Sequence, residues 1–385
     1  MTLDENKKIL LIVHSLNGKD GGLEIAFSRL ETNLPDSVKR RIVIFKNIVN
    51  LPHKGKISII NEPKLPRFFL IKKKALYPFT FFLGFIILFY RILRLRKLIT
   101  EDIKKIVAFD HYFGFIATLA SRGKSVDIIV SLHTTTSIQF KINPLSHLLP
   151  DLFYTKIIFP ILRKKVKFHT VSDYLKKDLM KNFNIDPHRI ITIYNVIDEN
   201  EIKKKSLTIP NDIPKENYFI TIANFKKEKN HKELLIAFKL LRENGFGYKL
   251  VLIGDGYLLT SIKQFAKKLN IYEHILFMGR RENPFPYLSN SKLFLLTSEY
   301  EALPQVVIES VILKVPVVSY NSPGGISEII VNPVEMNPEN VYKEAKKILI
   351  DKQYGKYVVD ANYKIYLENH RKKITVSKWI NLLEL

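Results

Sequence analysis

KLFLLTSEYEALPQVVIESVILKVPVVSY, residues 292–320, is the stretch on which the fold turns. Its ends, KLFLLT and VPVVSY, are short apolar runs of the kind that form buried parallel strands. The part between them, residues 304–313, is apolar nearly all round and reads as a buried helix. Pro304 suits the first turn of that helix, where a missing N–H costs nothing. Glu301 then falls in the loop just past the strand's carboxyl end, where open α/β sheets bind ligands. Glu309 sits inside the apolar helix. A buried carboxylate there costs several kcal/mol unless donors or a cation satisfy it. The vicinal hydroxyls of a sugar are one such donor set, and a structural arginine, lysine or backbone amide is another. The free N–H groups near Pro304 to Val306 suit a phosphate.

The same alternation extends in both directions. KILLIVHS, RRIVIFKN, KISIIN, IKKIVAFD, DIIVSLH, KFHTVS and ITIYNV read as strands of a first domain. Helical patterns lie between them at 22–33, 75–99, 112–122 and 171–183. The pattern fails over 201–217, where charge and prolines mark a linker. It restarts with YFITIA, a helix over 231–244, YKLVLIG, a helix over 257–269, HILFMG and the opening stretch. The expectation is α/β: two doubly wound, Rossmann-like domains facing across a cleft, residues 1–200 and 218–385, with a C-terminal helix able to return to the first domain.

At 385 residues with 46% hydrophobic content, the chain is long enough for two cores and is not a disordered protein. It has no cysteine, which excludes disulfides, thiolate-bound zinc and a cysteine nucleophile. The net charge is +24, and residues 1–100 hold 19 Lys/Arg against 7 Asp/Glu. Such asymmetry suits a polyanionic partner (nucleic acid, an anionic membrane surface or a phosphorylated substrate) or a Lys-rich solvated surface. No recognised nucleic-acid-reading module accompanies the charge, so nucleic acid is not expected. The N-terminus carries acids first and does not read as a secretory signal. ALYPFTFFLGFIILFY, residues 75–90, is too short to span a bilayer and is interrupted by Pro78 and Gly84. With its basic flanks, segment 64–97 reads as an interfacial helix on anionic lipid or as a core helix of the first domain.

Beyond the residues themselves, SEYEALPQVVIESVILKVPVVSYNSPGGISEI resembles the nucleotide-sugar motif of retaining glycosyltransferase family 4, which has the GT-B fold. The mark is two glutamates separated by seven residues, Glu301 and Glu309, followed by a Pro-Val-Val strand and a Gly-rich loop. DGGLE (20–24), VAFDHYFG, VSLH, FHTVSDYLKKDL, ITIYNVID, ITIANFKKEKNHKELLIAF and LVLIGDGYLLTSI resemble further family elements in the family's order. The resemblance implies that Glu309 holds the ribose of a nucleoside diphosphate and that Glu301 approaches the donor sugar. Ala302, Leu303 and Pro304 would lie beside the phosphates, with Lys229 neutralising them. Gly21, Gly22 and Gly254 would let backbone approach the donor, and His111 would stand near the sugar, with His133 as a second strand-end histidine.

Two departures stand out. The family's Gly-Arg-Leu is here Ala223-Asn224-Phe225, so the arginine that grips the diphosphate is replaced by Asn224, leaving Lys226, Lys227 or Arg280 to supply charge. After Ile330 the chain passes directly into VNPVEMNPEN, without the usual glycine-containing loop and strand. No metal-binding spacing appears, so no metal or other cofactor is expected. The resemblance implies sugar transfer from a nucleotide-diphospho-sugar, UDP-linked, to a lipid-linked saccharide or lipopolysaccharide precursor. The enzyme would work at the inner face of the cytoplasmic membrane. The alternative is a catalytically degenerate member acting as a membrane-associated scaffold.

Overall fold

The structure is a computed structural model, and it describes residues 8–18, 22–61, 77–138 and 154–383. The chain divides into two units. Unit 1 comprises Met1–Val171, Leu175–Val196 and Val376–Leu385; unit 2 comprises Ser172–Tyr174 and Ile197–Thr375.

In unit 1, β1 (Lys8–Val13) leads to α1 (Gly22–Asn33), then β2 (Arg40–Ile44), β3 (Lys56–Ile59), α2 (Tyr77–Leu98), β4 (Ile103–Phe109), α3 (His111–Ala120) and β5 (Asp127–Leu132). After these come α4 (Phe159–Lys165), β6 (Lys167–Thr170), α5 (Asp173–Phe183) and β7 (Ile190–Thr192). The seven strands run parallel in the order β3-β2-β1-β4-β5-β6-β7. Ile9, Leu11, Val13, Phe27, Ile42, Ile44, Val107 and Phe109 pack one face of its core. Trp379, Leu382 and Leu383, from the far end of the sequence, join the same cluster.

Unit 2 opens with α6 (Glu199–Ser206) and continues through β8 (Tyr218–Ile222), α7 (His231–Glu243), β9 (Lys249–Ile253), α8 (Leu259–Lys268), β10 (Ile275–Gly279) and α9 (Phe285–Ser289). It then runs through β11 (Leu293–Leu296), α10 (Gln305–Ile312), β12 (Val317–Ser319), α11 (Pro338–Ile350), α12 (Lys352–Ile365) and α13 (Lys372–Leu383), whose last turns belong to unit 1. Five parallel strands take the order β10-β9-β8-β11-β12. In each sheet the winding reverses beside the unit's first strand, between β1 and β4 and between β8 and β11. Those two switch points are where parallel α/β sheets open a crevice for ligands.

The strands and helices read from the sequence match these elements within four residues at the ends; α4, α9 and α11 were not read, and two further places differ. Residues 201–217, expected as a linker, begin inside α6. Asp198 caps that helix, accepting hydrogen bonds from Asn200 N at 3.0 Å and Glu201 N at 3.2 Å. Its acids stand in the first turn and its lysines in the last, an order that complements the helix dipole although it reads as a solvated charge run. The strand missing after Ile330 survives as one bridge, Tyr320 to Val334, in which Val334 N donates to Ser319 O at 2.9 Å.

α2 has two faces. Leu88 and Leu95 are buried, while Phe85, Ile86, Phe89 and Leu93 are exposed. One side of the helix thus packs into the core of unit 1, and the other leaves an apolar stripe exposed. Among the described residues no helix is long and apolar enough to cross a membrane.

Candidate functional site

The unit 2 switch point brings together the loops after β8 and β11. The first, Ala223–Asn230, is held against the end of β9. Ala223 N donates to Ile253 O at 3.0 Å, Phe225 N to Asp255 O at 2.9 Å, and Leu258 N to Phe225 O at 3.1 Å. Two glycines permit this approach. A Cβ on Gly254 (φ +151°) would lie 2.0 Å from Ala223 O, and one on Gly256 (φ +156°) would lie 2.6 Å from Phe225 O. Gly254 therefore shapes the loop through backbone clearance. Its N–H donates to Gly279 O at 2.9 Å, which fixes the exposed Arg280 at the end of the neighbouring strand.

Lys229 closes a short 3-10 turn in the first loop, and Asn230 turns the chain into α7 with a left-handed φ of 47°. The β11 loop is tied to this turn. Glu299 N donates to Glu228 O at 2.8 Å, and Thr297 Oγ1 donates to Asn230 O at 3.1 Å. Across the junction Lys229 Nζ lies 2.5 Å from Glu301 Oε1, which also accepts from Ser298 Oγ at 2.7 Å. Two residues 72 apart in sequence thus form an ion pair at the switch point.

Glu301 is clamped from behind by the Gly-rich loop. Its N–H donates to Pro323 O at 3.1 Å, and Gly325 N donates to Ala302 O at 3.1 Å. At Gly324 (φ +142°) a Cβ would lie 1.4 Å from Glu301 O, so only glycine fits. Ala302, Leu303 and Pro304 carry the chain into α10, with Pro304 at its N-cap position. Glu309 lies in the second turn of α10 and is 8% exposed. Asn224 is half-buried in the first loop.

His231 escaped the sequence reading. It is buried, stacks on Phe225 at 4.4 Å, and is pushed down to about 4 by burial and the Lys229 charge. It stands as a neutral ring under the β8 loop. The signal for it was its place directly after the Lys-Asn pair 229–230. Burial also pushes the Tyr300 phenol up to about 12, helped by Glu228, Glu299 and Glu301, so it remains a neutral hydrogen-bonding group.

In unit 1 the corresponding edge carries Gly22 at the head of α1, whereas Gly21 and residues 64–76 of the basic segment lie outside the described residues. Glu24, quoted in the DGGLE stretch but given no role, latches the loop after β1. It accepts from Ser15 Oγ and, at 2.6 Å, from Gly18 N. His111 heads α3 directly after β4 and is 6% exposed, with Nδ1 3.3 Å from Asp110 Oδ1 and its ring over Phe159. Asp110 holds φ 116°, a strained conformation for a non-glycine residue, at the point where the chain leaves the sheet.

His133, past the end of β5, belongs to a hydrogen-bonded series. His169 Nε2 lies 2.8 Å from Ile193 O and must donate to it; Nδ1 then accepts from Ser131 Oγ at 2.8 Å. Ser131 Oγ in turn accepts from His133 Nε2 at 2.9 Å. Burial holds both rings neutral, His133 pushed down to about 3, where its neighbour His169 further opposes a charge on it, and His169 to about 4. The series assigns the proton of His133 to Nε2, leaving Nδ1 as an acceptor only. Trp379 of α13 packs on His169 at 4.4 Å and closes the far end.

Among the described residues no group of three or more His, Asp or Glu is placed to hold a metal ion.

Two parallel α/β units, each wound in the nucleotide-fold order, define the GT-B class of glycosyltransferase folds. A family model described as Glycosyltransferase Family 4 matches residues 59–201, and one described as Glycosyl transferases group 1 matches residues 201–363. The chain belongs to the family-4-like GT-B glycosyltransferases. It is 27% identical over 245 residues to a 4-alpha-N-acetylgalactosaminyltransferase of Campylobacter jejuni named for an N-acetylgalactosamine-N,N'-diacetylbacillosaminyl-diphospho-undecaprenol substrate, covering 62% of this chain and 64% of that one. It is 35% identical over 155 residues to the N-acetyl-alpha-D-glucosaminyl L-malate synthase of Bacillus anthracis, covering 38% of this chain and 39% of the relative. The chain thus spans less than two thirds of the length of these curated relatives. Among solved structures, Anabaena HepE in complex with UDP and glucose superposes with a TM-score of 0.76 at 14% identity, covering 98% of this chain and 99% of HepE. Sucrose-phosphate synthase of Thermosynechococcus elongatus gives 0.78 at 14% identity, covering 98% of each chain.

Proposed function

We propose that the chain transfers a sugar from a nucleotide-diphospho-sugar, UDP-linked, to a hydroxyl of a lipid-linked saccharide or lipopolysaccharide or capsule precursor, retaining the anomeric configuration and using no metal. Unit 2 binds the donor and the basic unit 1 binds the acceptor. The observation that carries this reading is the Lys229–Glu301 pair at the β8/β11 switch point, with Glu309 buried on the helix that follows. A diphosphate entering there exchanges its own charge for the carboxylate on Lys229, freeing Glu301 for the sugar's hydroxyls. The acceptor oxygen bonds to the anomeric carbon as the bond to the diphosphate oxygen breaks. The hydroxyl proton passes to the departing phosphate on the same face.

HepE's UDP and glucose support the donor class, and the diphospho-undecaprenol substrate named for the Campylobacter relative supports a lipid-linked acceptor. The exposed apolar face of α2 and the basic flanks support docking on the inner face of the cytoplasmic membrane. One observation favours a second reading, a scaffold without turnover: Asn224 stands where the family's arginine would grip the diphosphate.

A thermal-shift panel of UDP-, GDP-, ADP- and CDP-sugars, followed by transfer assays on Glu301→Ala and Glu309→Ala, tests both readings. A shift with UDP-sugars and loss of transfer in both variants is expected. Silence across the panel would favour the scaffold.

A further inference from the structure

The outward side of α2 changes character along its length. At about 100° per residue, Phe85, Ile86, Phe89 and Leu93 share one stripe, and the same stripe continues into Arg96 and Lys97. At its cationic end lies a pocket lined by Tyr90, Leu93, Arg94, Arg96, Lys97 and Lys124. α2 ends just before β4 begins, and α3 ends just before β5 begins. The pocket therefore sits at the amino-terminal edge of the sheet, opposite the edge that carries His111 and His133.

Four cations meet here, and no carboxylate lines the pocket. Two of them serve the ends of the helices. Arg96 Nη1 donates to Ala120 O at 3.0 Å and Arg122 O at 2.6 Å, while Lys124 Nζ donates to Arg96 O at 3.2 Å and to Ile99 O. Helix ends do not account for Arg94, whose guanidinium lies 5.7 Å from the centre of the Tyr90 ring, or for Lys97. Among the described residues neither has an ion pair. Like charges gathered without counter-ions repel, and a bound anion removes that cost.

We infer that this pocket binds the phosphate of an anionic phospholipid, with Arg94 and Lys97 on the headgroup and the Phe85–Leu93 stripe dipping beside the acyl chains. A free phosphate would need the cations only. Leu93 belongs to both the pocket and the apolar stripe, and this continuity points to a lipid. The inference rests on the membrane reading above and adds to it a defined headgroup site at the edge of the unit 1 sheet opposite His111 and His133.

Flotation of the full chain with vesicles tests it, using phosphatidylcholine alone and phosphatidylcholine with one third phosphatidylglycerol. Arg94→Gln combined with Lys97→Gln should lower partitioning into the anionic vesicles about 30-fold, the loss expected of two cations at such a surface. The charge-matched pair Lys352→Gln with Lys356→Gln, exposed on unit 2, should change it less than threefold. Equal losses in the two pairs, or no preference of the unaltered chain for anionic vesicles, would overturn the site. If the first pair fails to fold, competition on the unaltered chain decides the same point. Short-chain phosphatidylglycerol should displace it from vesicles, and displacement by inorganic phosphate at equal ionic strength refutes a lipid site. A UDP thermal shift on the same samples separates the two proposals. A shift without vesicle binding refutes the docking alone, and vesicle binding without a shift refutes the donor reading alone.

Discussion

Lys229 and Glu301 form the ion pair on which the donor reading stands. Each is less than a quarter exposed, with Glu301 at 12%, so removing one partner leaves the other charge poorly solvated. Lys229→Met should therefore lower kcat/KM by about 100-fold or more, the usual cost of losing a fixed donor to a developing charge. Steady-state kinetics with intact folding, shown by circular dichroism, would check this. Asn224 offers the opposite test. Asn224→Arg should tighten UDP binding about tenfold, since a charge-assisted bond replaces a neutral one; calorimetric titration would show no change if Arg280 or Lys226 already fills that role. Glu301, Glu309 and Lys229 were legible because a spacing and its surrounding motif survive in one dimension. Their pairing was not legible, because it depends on two loops meeting across a switch point. Gly324 belongs to the same lesson. Its Cβ would collide with Glu301 O, so Gly324→Ala should destabilise unit 2 by more than about 2 kcal/mol in denaturant unfolding.

At the scale of elements, β1 to β12 were readable because buried parallel strands are continuous apolar runs bounded by polar turns. The α6 helix was not, because its stability comes from an Asp198 cap and ordered charges, with Ile202 its one buried apolar residue. The histidine series from β5 to β6 was also hidden, since Ser131, His133 and His169 look like ordinary strand residues until the sheet aligns them. Buried histidines, in this series and under the β8 loop, give the fold a pH dependence. Folded His169 and His231 titrate near 4 against about 6.5 when unfolded, so the unfolded chain takes up protons first as pH falls. Stability is thus full above about pH 6.5 and declines as pH falls toward 4, by about 3 kcal/mol for each such ring. His231→Phe, which keeps the stack on Phe225 and removes the titration, should flatten part of that decline in Tm measured from pH 7 to pH 4. A parallel, unflattened curve would mean that His231 is not neutral in the fold.

Over the whole molecule the +24 charge acts at a distance that no single pair can reach. Its field favours anionic ligands, raising their encounter rate, and it is screened beyond about 10 Å at 0.1 M salt. The Lys229–Glu301 site is partly shielded and keeps its local attraction at higher salt. The two contributions therefore separate by ionic strength. Raising salt from 0.05 to 0.5 M should weaken UDP binding about tenfold, mostly through a slower association rate measured by stopped flow. Uridine, which lacks the diphosphate, should bind weakly and with no salt dependence. Lys229→Met should lose affinity for UDP by faster dissociation and should keep the same salt slope, because one charge among so many leaves the long-range field unchanged. A salt slope abolished by that single substitution would place the whole electrostatic attraction in the local pair and deny the distributed charge any part in capturing the donor.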